Sequence, residues 1–233
     1  MRGPAVVAAS GDPPPEDAME RAAEALGGGE VVVVPTDTVY GLAVVAALPG
    51  ATARLFALKG RPGEVALPVL VADVDQALAL AGDDLPAAAL RAMRRWWPGP
   101  LTVVVRRRGG LGLELGGTDD ATIGLRVPAH PVPRGLAARV GPLAVTSANL
   151  HGCPTPATAA GIVEHLGAGV GLVLDAGESD GPPSTVVSCL GDELRLLRAG
   201  HVPFAHVVAV AADPDGSEIV QGSHHEEAEE RPR

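Results

Sequence analysis

The chain has 233 residues, 28 of them Asp or Glu against 18 Lys or Arg, for a formal charge of -10; its 17 arginines are accompanied by a single lysine, Lys59. That length is ample for one domain with a sizeable core, while 30 glycines and 22 prolines argue against a helical bundle and for short elements joined by many turns. Two Trp, two Phe and one Tyr leave little for the aromatic platforms that stack single-stranded nucleic acid, and with neither a signal-like leader nor an apolar run near the roughly 20 residues that cross a bilayer, a soluble cytoplasmic protein without membrane contact is expected.

Residues 1–15 read as an N-terminal extension. Over residues 16–26 the spacing of Ala18, Met19, Ala22, Ala23 and Leu26 predicts a helix, ended by Gly27, Gly28 and Gly29. Residues 31–34 predict a strand that Pro35 terminates, followed by a helix over 51–59, a break at 60–63 and a strand over 67–71. Helices over 73–80 and 85–96, the second stopped before Pro98, precede a strand over 101–106. Beyond the glycine-rich stretch 109–117 come a strand over 122–127, a helix over 132–140 and a short buried strand over 143–145. An amphipathic helix is predicted over 155–166, with short strands over 172–174, 185–189, 193–197 and 207–210. The expected architecture is α/β: one twisted mixed sheet flanked by helices, without the regular βαβ spacing of a doubly wound fold and without a fixed-period repeat.

The domain is placed at residues 16–212. Residues 213–233, with seven acids against two bases, read as an acidic disordered tail whose His224 and His225 lack a further ligand cluster. This tail and residues 1–30, which hold six acids and two bases, account for -9 of the charge, so a nearly neutral middle is free to carry a positive groove. Cys153 and Cys189 show no metal-ligand spacing and are expected as reduced thiols.

Several stretches place chemistry-bearing residues at the ends of these elements. Pro35-Thr36-Asp37-Thr38-Val39-Tyr40-Gly41-Leu42 follows an apolar strand and can turn Thr36, Thr38 and Tyr40 toward a small polar ligand, with Gly41 permitting close approach. A hydrogen-bonded turn capped by Asp37 is the plainer reading. Lys59-Gly60-Arg61-Pro62 joins a compact charge to a guanidinium fork suited to phosphate or carboxylate, or else is a solvated helix end. Neither a P-loop nor a Gly-x-Gly-x-x-Gly fingerprint is present, so any phosphate site uses another geometry.

Thr122 and Arg126 stand four residues apart on one strand and share a face. Thr146, Ser147 and Asn149 follow the next strand; Ser147 lacks a Gly-x-Ser-x-Gly setting, which favours binding over nucleophilic attack. Ser184 opens a later strand and Arg198 stands just beyond the next, a hydroxyl and a guanidinium able to hold an amino acid or a nucleotide. Arg91, Arg94, Arg95, Arg106, Arg107 and Arg108 read as solvating charge, and Trp96 and Trp97 as packing anchors.

In this order, the 35–42 segment, Lys59-Gly60-Arg61-Pro62, Trp97-Pro98-Gly99-Pro100-Leu101-Thr102, residues 122–128, Ser147-Ala148-Asn149, Ser184-Thr185-Val186-Val187 and Arg198-Ala199-Gly200 resemble the YrdC/Sua5 family of threonylcarbamoyladenylate synthases. The resemblance covers roughly residues 16–205 and is to the short, TsaC-like form without the C-terminal domain of longer members. It implies a twisted mixed sheet with a concave substrate groove. It also implies a nucleotidyltransferase that converts L-threonine, bicarbonate and ATP, with Mg2+, to L-threonylcarbamoyladenylate and pyrophosphate for t6A modification of tRNA. Separate proteins would carry out the transfer, with direct tRNA contact left open.

Carried over residue by residue, the resemblance implies ATP or phosphate contacts at Lys59, Arg61, Thr122, Ser147, Asn149 and Arg198, with Lys59 and Arg61 the catalytic pair. Thr36, Thr38, Arg126 and Ser184 fall on the threonine side, with Tyr40 shaping the pocket, and no residue is assigned to a metal because Mg2+ would be held by the nucleotide. Ala66-Leu67 replaces a frequent Pro-Leu, the Leu70 region replaces a threonine-side histidine, and Ser188 stands where Asp is common. The alternatives are a related carbamoyl-adenylate-forming enzyme and an RNA-binding or ribosome-assembly protein of the same fold.

Overall fold

The computed structural model describes residues 3–60, 65–191 and 193–213. Its first half contains β1 (Ala5–Ala8), α1 (Glu16–Gly27), β2 (Val32–Val34), β3 (Gly41–Val45), α2 (Ala51–Lys59), β4 (Val69–Leu70), α3 (Val74–Leu80), α4 (Ala87–Trp96) and β5 (Leu101–Arg106). The second contains β6 (Thr122–Arg126), α5 (Pro131–Val140), β7 (Leu143–Ser147), α6 (Ala159–Leu166), β8 (Leu172–Asp175), β9 (Thr185–Ser188), β10 (Arg195–Arg198) and α7 (Phe204–Ala212). The strands form one ten-stranded sheet in the order β1-β8-β2-β3-β7-β4-β6-β5-β9-β10, mixed in direction as expected.

Side-chain alternation along the strands divides the apolar residues between two cores. Val33, Leu42, Val44, Val69, Val103 and Leu125 pack under α2, α3, α4, α6 and α7 on one face. Val32, Val34, Ala43, Val45, Leu70 and Val145 pack under α1 and α5 on the other. Each fully buried leucine or valine contributes about 1.5–3 kcal/mol by leaving water. On the second face the helical cover stops short: Thr102 and Val104 of β5, Thr122, Gly124 and Arg126 of β6 and Val186 of β9 belong to neither core and line a cavity instead.

Several elements differ from the sequence expectation. Residues 207–210 form no strand but the middle of α7, which starts after Pro203 and buries Val207 and Ala211, one helical turn apart, against α4. Its Val-rich run has strand character locally, and tertiary packing overrides it. The stretch read as a loop through Leu42 ends at Gly41, where β3 begins and returns antiparallel to β2 with Val34 opposite Gly41. β7 extends through Thr146 and Ser147, because β3 pairs with it as far as Gly41 opposite Ser147. The helix expected from residue 155 starts at Ala159, since Pro156 disfavours helical backbone before it and the Thr158 hydroxyl accepts from Gly161 N at 3.2 Å as the cap.

Residues 5–8 also form β1, parallel to β8 at one edge of the sheet. β4 shrinks to two residues within the predicted 67–71, beside Pro68, which has no amide to donate to the ladder. No helix among the described residues is long and apolar enough to cross a membrane. The tail, with His224 and His225, lies outside the described residues apart from Asp213.

Candidate active site

The cavity floored by β4, β5, β6 and β9 has a volume of about 740 Å3. One wall is the loop between β2 and β3. The Thr36 hydroxyl donates to Val39 O at 2.7 Å, so the 3.0 Å contact between the Thr36 and Thr38 hydroxyls has Thr38 as donor. Thr36 Oγ1 also accepts from Thr38 N at 3.1 Å, which commits its donor and both lone pairs to the turn. Thr36 lines the cavity, but its hydroxyl holds the loop in shape; Thr38 keeps spare accepting capacity.

Arg126 reaches this loop from β6. Its Nε donates to Gly99 O at 3.0 Å, Nη1 to Thr38 Oγ1 at 3.2 Å and Nη2 to Asp37 Oδ1 at 2.7 Å. Three of a guanidinium's five N–H bonds are thereby used, leaving two for a ligand. The Arg126 and Asp37 side chains are only 6% and 16% exposed, so the pair is a buried one. Burial lowers the Arg126 pKa, opposed by the charge and hydrogen bond of Asp37. Asp37 Oδ2 is buried without a partner, which makes the carboxylate dependent on Arg126.

The connection from β8 to β9 lies across the same loop. Ser179 Oγ donates to Thr38 O at 3.0 Å, and Asp180 pairs with Val39 as an isolated antiparallel bridge. Tyr40 is fully buried; its hydroxyl donates to Gly177 O at 2.7 Å and accepts from Ala176 N at 3.1 Å, while burial pushes its phenol pKa up. Tyr40 therefore shapes the pocket by fastening this strap. Tyr40→Phe is expected to leave both backbone groups unpaired and to cost about 1–3 kcal/mol, read as a lower urea midpoint with an unchanged m-value.

The opposite wall carries a second cation. Arg198 Nε and Nη2 donate to Ser184 O at 3.2 and 2.9 Å, and Nη2 donates to Ser184 Oγ at 2.9 Å. Ser184 Oγ lies 3.0 Å from Thr102 Oγ1, which ties β5 into the same network. Nη1 of Arg198 takes no part in this network among the described residues, and both its N–H groups are available to a ligand. Burial, and then the like charge of Arg126, lowers the Arg198 pKa. Two guanidiniums close enough to repel, with a carboxylate beside only one, make a cavity suited to an anion.

Gly200 sets this wall: a Cβ there would lie 2.5 Å from Ser184 C and Thr185 N and closer still to Pro183 O. Gly200→Ala is expected to displace Ser184, release Arg198 and destabilise the fold by about 1–3 kcal/mol. Parallel thermal unfolding and turnover measurements check it, and a variant wild-type in both would contradict this packing.

At the third side, Lys59 is 4% exposed at the end of α2 and donates to Ser147 O at 2.6 Å and Asn149 Oδ1 at 3.1 Å. Ser147 Oγ donates to the same Asn149 oxygen. Asn149 Nδ2 in turn holds the backbone at Leu150 O (2.9 Å) and Cys153 O (2.6 Å).

Of the expected site residues, Thr36, Thr38, Tyr40, Thr122, Arg126, Ser147, Asn149, Ser184 and Arg198 line the cavity, and Lys59 adjoins it through Ser147 and Asn149. Arg61 lies outside the described residues. Asp37 was legible only as a turn cap, and Thr102, Ser179 and Asp180 were missed; their partners are 82 or more residues away or across a strap, so no local spacing signals them. Leu70 and Ala66 also line the cavity, giving it an apolar side where the resemblance places a histidine. Ser188 instead faces a hollow of about 370 Å3 shared with Leu190, Gly191, Glu193 and Arg195, which none of the expected site residues lines. Arg106, Arg107 and Arg108 pair with Asp84, Asp120 and Asp83, and Arg95 lies over Trp96 at 4.7 Å; Arg107, its side chain only 9% exposed, also donates to Leu113 O, so these arginines serve structure. Cys153 and Cys189 are free thiols.

Residues 24–200 match the Sua5/YciO/YrdC family, described as telomere recombination. The chain belongs to this family. A Mycobacterium leprae protein, provisionally named a threonylcarbamoyl-AMP synthase, is 40% identical over 190 residues, covering 81% of this chain and 86% of that one. The Bacillus subtilis threonylcarbamoyl-AMP synthase is 36% identical over 199 residues, covering 82% of this chain and 55% of its own. The Pyrococcus abyssi Sua5 structure complexed with L-threonine superposes with a TM-score of 0.79 at 31% identity, over 88% of this chain. This member of the family spans 60% of that longer protein.

Proposed function

We propose that this chain is a threonylcarbamoyl-AMP synthase, joining L-threonine, bicarbonate and ATP into L-threonylcarbamoyladenylate and pyrophosphate for tRNA modification. The observation that carries this reading is one cavity that gathers Arg126, Arg198, Thr122, Ser147 and Asn149 from segments far apart in sequence, with Lys59 bonded to the last two. The two free N–H groups of Arg126 suit the threonine carboxylate, with Thr38 and Ser184 beside it. Thr122, Asn149, Lys59 and the free end of Arg198 suit the phosphates of ATP, with Ser147 holding Asn149.

In the reaction, the threonine ammonium first gives up a proton; the free amine then attacks the bicarbonate carbon, water leaves, and an N-carboxylate forms. An oxygen of that carboxylate attacks the α-phosphorus of ATP, the new O–P bond replacing the bond to pyrophosphate. The protein's part is to align two anions and to offset charge growing on the phosphate oxygens, with no covalent enzyme intermediate. Mg2+ would fit this setting held chiefly by the ATP phosphates. Among the described residues the cavity wall supplies one carboxylate, Asp180, alongside neutral hydroxyls and cations, a donor set that would leave the ion most of its phosphate and water ligands.

The product would pass to separate transfer proteins that act on tRNA. The purified protein with ATP and Mg2+ should release pyrophosphate only when L-threonine and bicarbonate are both present. Equal release with carbamoyl phosphate replacing both, or none under any combination, would reject the proposal.

A further inference from the structure

Gly124 is the middle residue of β6, flanked by β4 and β5, and it lines the cavity floor. Nothing in the fold demands a glycine there. Its φ is not among the positive ones. A Cβ built on it would meet Thr102 Cγ2 and Val104 Cγ2 at 3.5 Å and Pro68 Cβ at 3.6 Å, ordinary contact distances that a methyl group tolerates. Glycine inside a strand weakens the strand and marks places where a ligand or another backbone comes close. The three nearest atoms all belong to side chains and none to another backbone, so the close approach is that of the cavity's contents.

Position along the strand says which contents. Thr122 and Arg126 share the face of Gly124, two residues to either side, so each stands about 7 Å from it at the rise of an extended strand. This inference rests on the proposed function, in which Thr122 serves the nucleotide and Arg126 the amino acid. Gly124 then lies beneath the point where the two substrates meet. We propose that Gly124 is a specificity-determining position for the reaction: its bare Cα makes room for the N-carboxylate oxygen to reach the α-phosphorus, and a side chain there would hold the two substrates apart while leaving each able to bind alone.

The test is Gly124→Ala, compared with the wild-type protein in three measurements: thermal unfolding, binding of L-threonine and of a non-hydrolysable ATP analogue singly, and turnover with all substrates. Expected are an unfolding temperature equal to or above the wild type, single-ligand Kd values within about twofold, and a kcat about 100-fold lower, the size of effect that follows an ångström-scale misplacement of reacting groups. A kcat within about threefold of wild type would overturn the inference. So would a large fall in unfolding temperature, which would make Gly124 structural, or weakened binding of one ligand alone, which would place it under that ligand. A wild-type protein that makes no adenylate would instead sink the proposed function, so the two failures are distinguishable.

Discussion

Arg126→Ala is expected to abolish threonine-dependent turnover and to destabilise the fold by about 3–5 kcal/mol, the range for leaving half of a buried ion pair alone. Asp37 would keep a buried charge with Oδ2 already unpartnered, and Thr38 and Gly99 would lose their donor. The stability part is separable from the binding part. Arg126→Ala combined with Asp37→Asn removes the orphaned charge and should recover much of the lost stability in urea unfolding, without recovering turnover. Arg126→Lys keeps a cation near Asp37 but not the fork that serves three protein acceptors and a ligand at once. Its threonine KM should rise by about 10- to 100-fold, with a smaller loss of stability. If Arg126→Ala and wild type had equal threonine KM, the assignment of the free N–H groups to the amino-acid carboxylate would fail.

Lys59→Ala is expected to lower kcat by about 100- to 1000-fold, the usual consequence of deleting one preorganised donor at a site of developing negative charge. The lysine is 4% exposed and held by Ser147 O and Asn149 Oδ1, so its ammonium is fixed in place beside the cavity. The loss should appear in pyrophosphate release at saturating substrates, with threonine KM near wild type because Arg126 stands at a different wall. Lys59→Arg should not rescue it: a planar fork cannot satisfy the compact geometry between Ser147 and Asn149. A Lys59→Ala kcat within a few fold of wild type would remove Lys59 from the reacting centre.

Much of the fold was legible because its signals are local. The Gly27–Gly29 stop, the branched apolar run within residues 101–106 and the glycine after α2 are read from a few neighbouring residues. Elements fixed by distant partners were not. β1 exists because β8 pairs with it, and α7 is a helix because α4 offers Val207 and Ala211 a surface. The site divides in the same way. Shared facing of Thr122 and Arg126 follows from the two-residue period of a strand, and both line the cavity. That Thr36 spends its hydroxyl on the turn, that Tyr40 fastens a strap, and that Asp37 pairs with Arg126 depend on contacts three-dimensional structure alone supplies. Motif order, through the family resemblance, located residues that spacing could not connect.

The lone lysine of an arginine-rich chain adjoins, through Ser147 and Asn149, the cavity that Arg126 and Arg198 line. The most direct test is mass spectrometry of the nucleotide product formed from ATP, Mg2+, L-threonine and 13C-bicarbonate. The expected product is a threonylcarbamoyl adenylate carrying one heavy carbon in its carbamoyl group. An unlabelled threonyl adenylate, or AMP formed without any threonine adduct, would contradict the proposed chemistry.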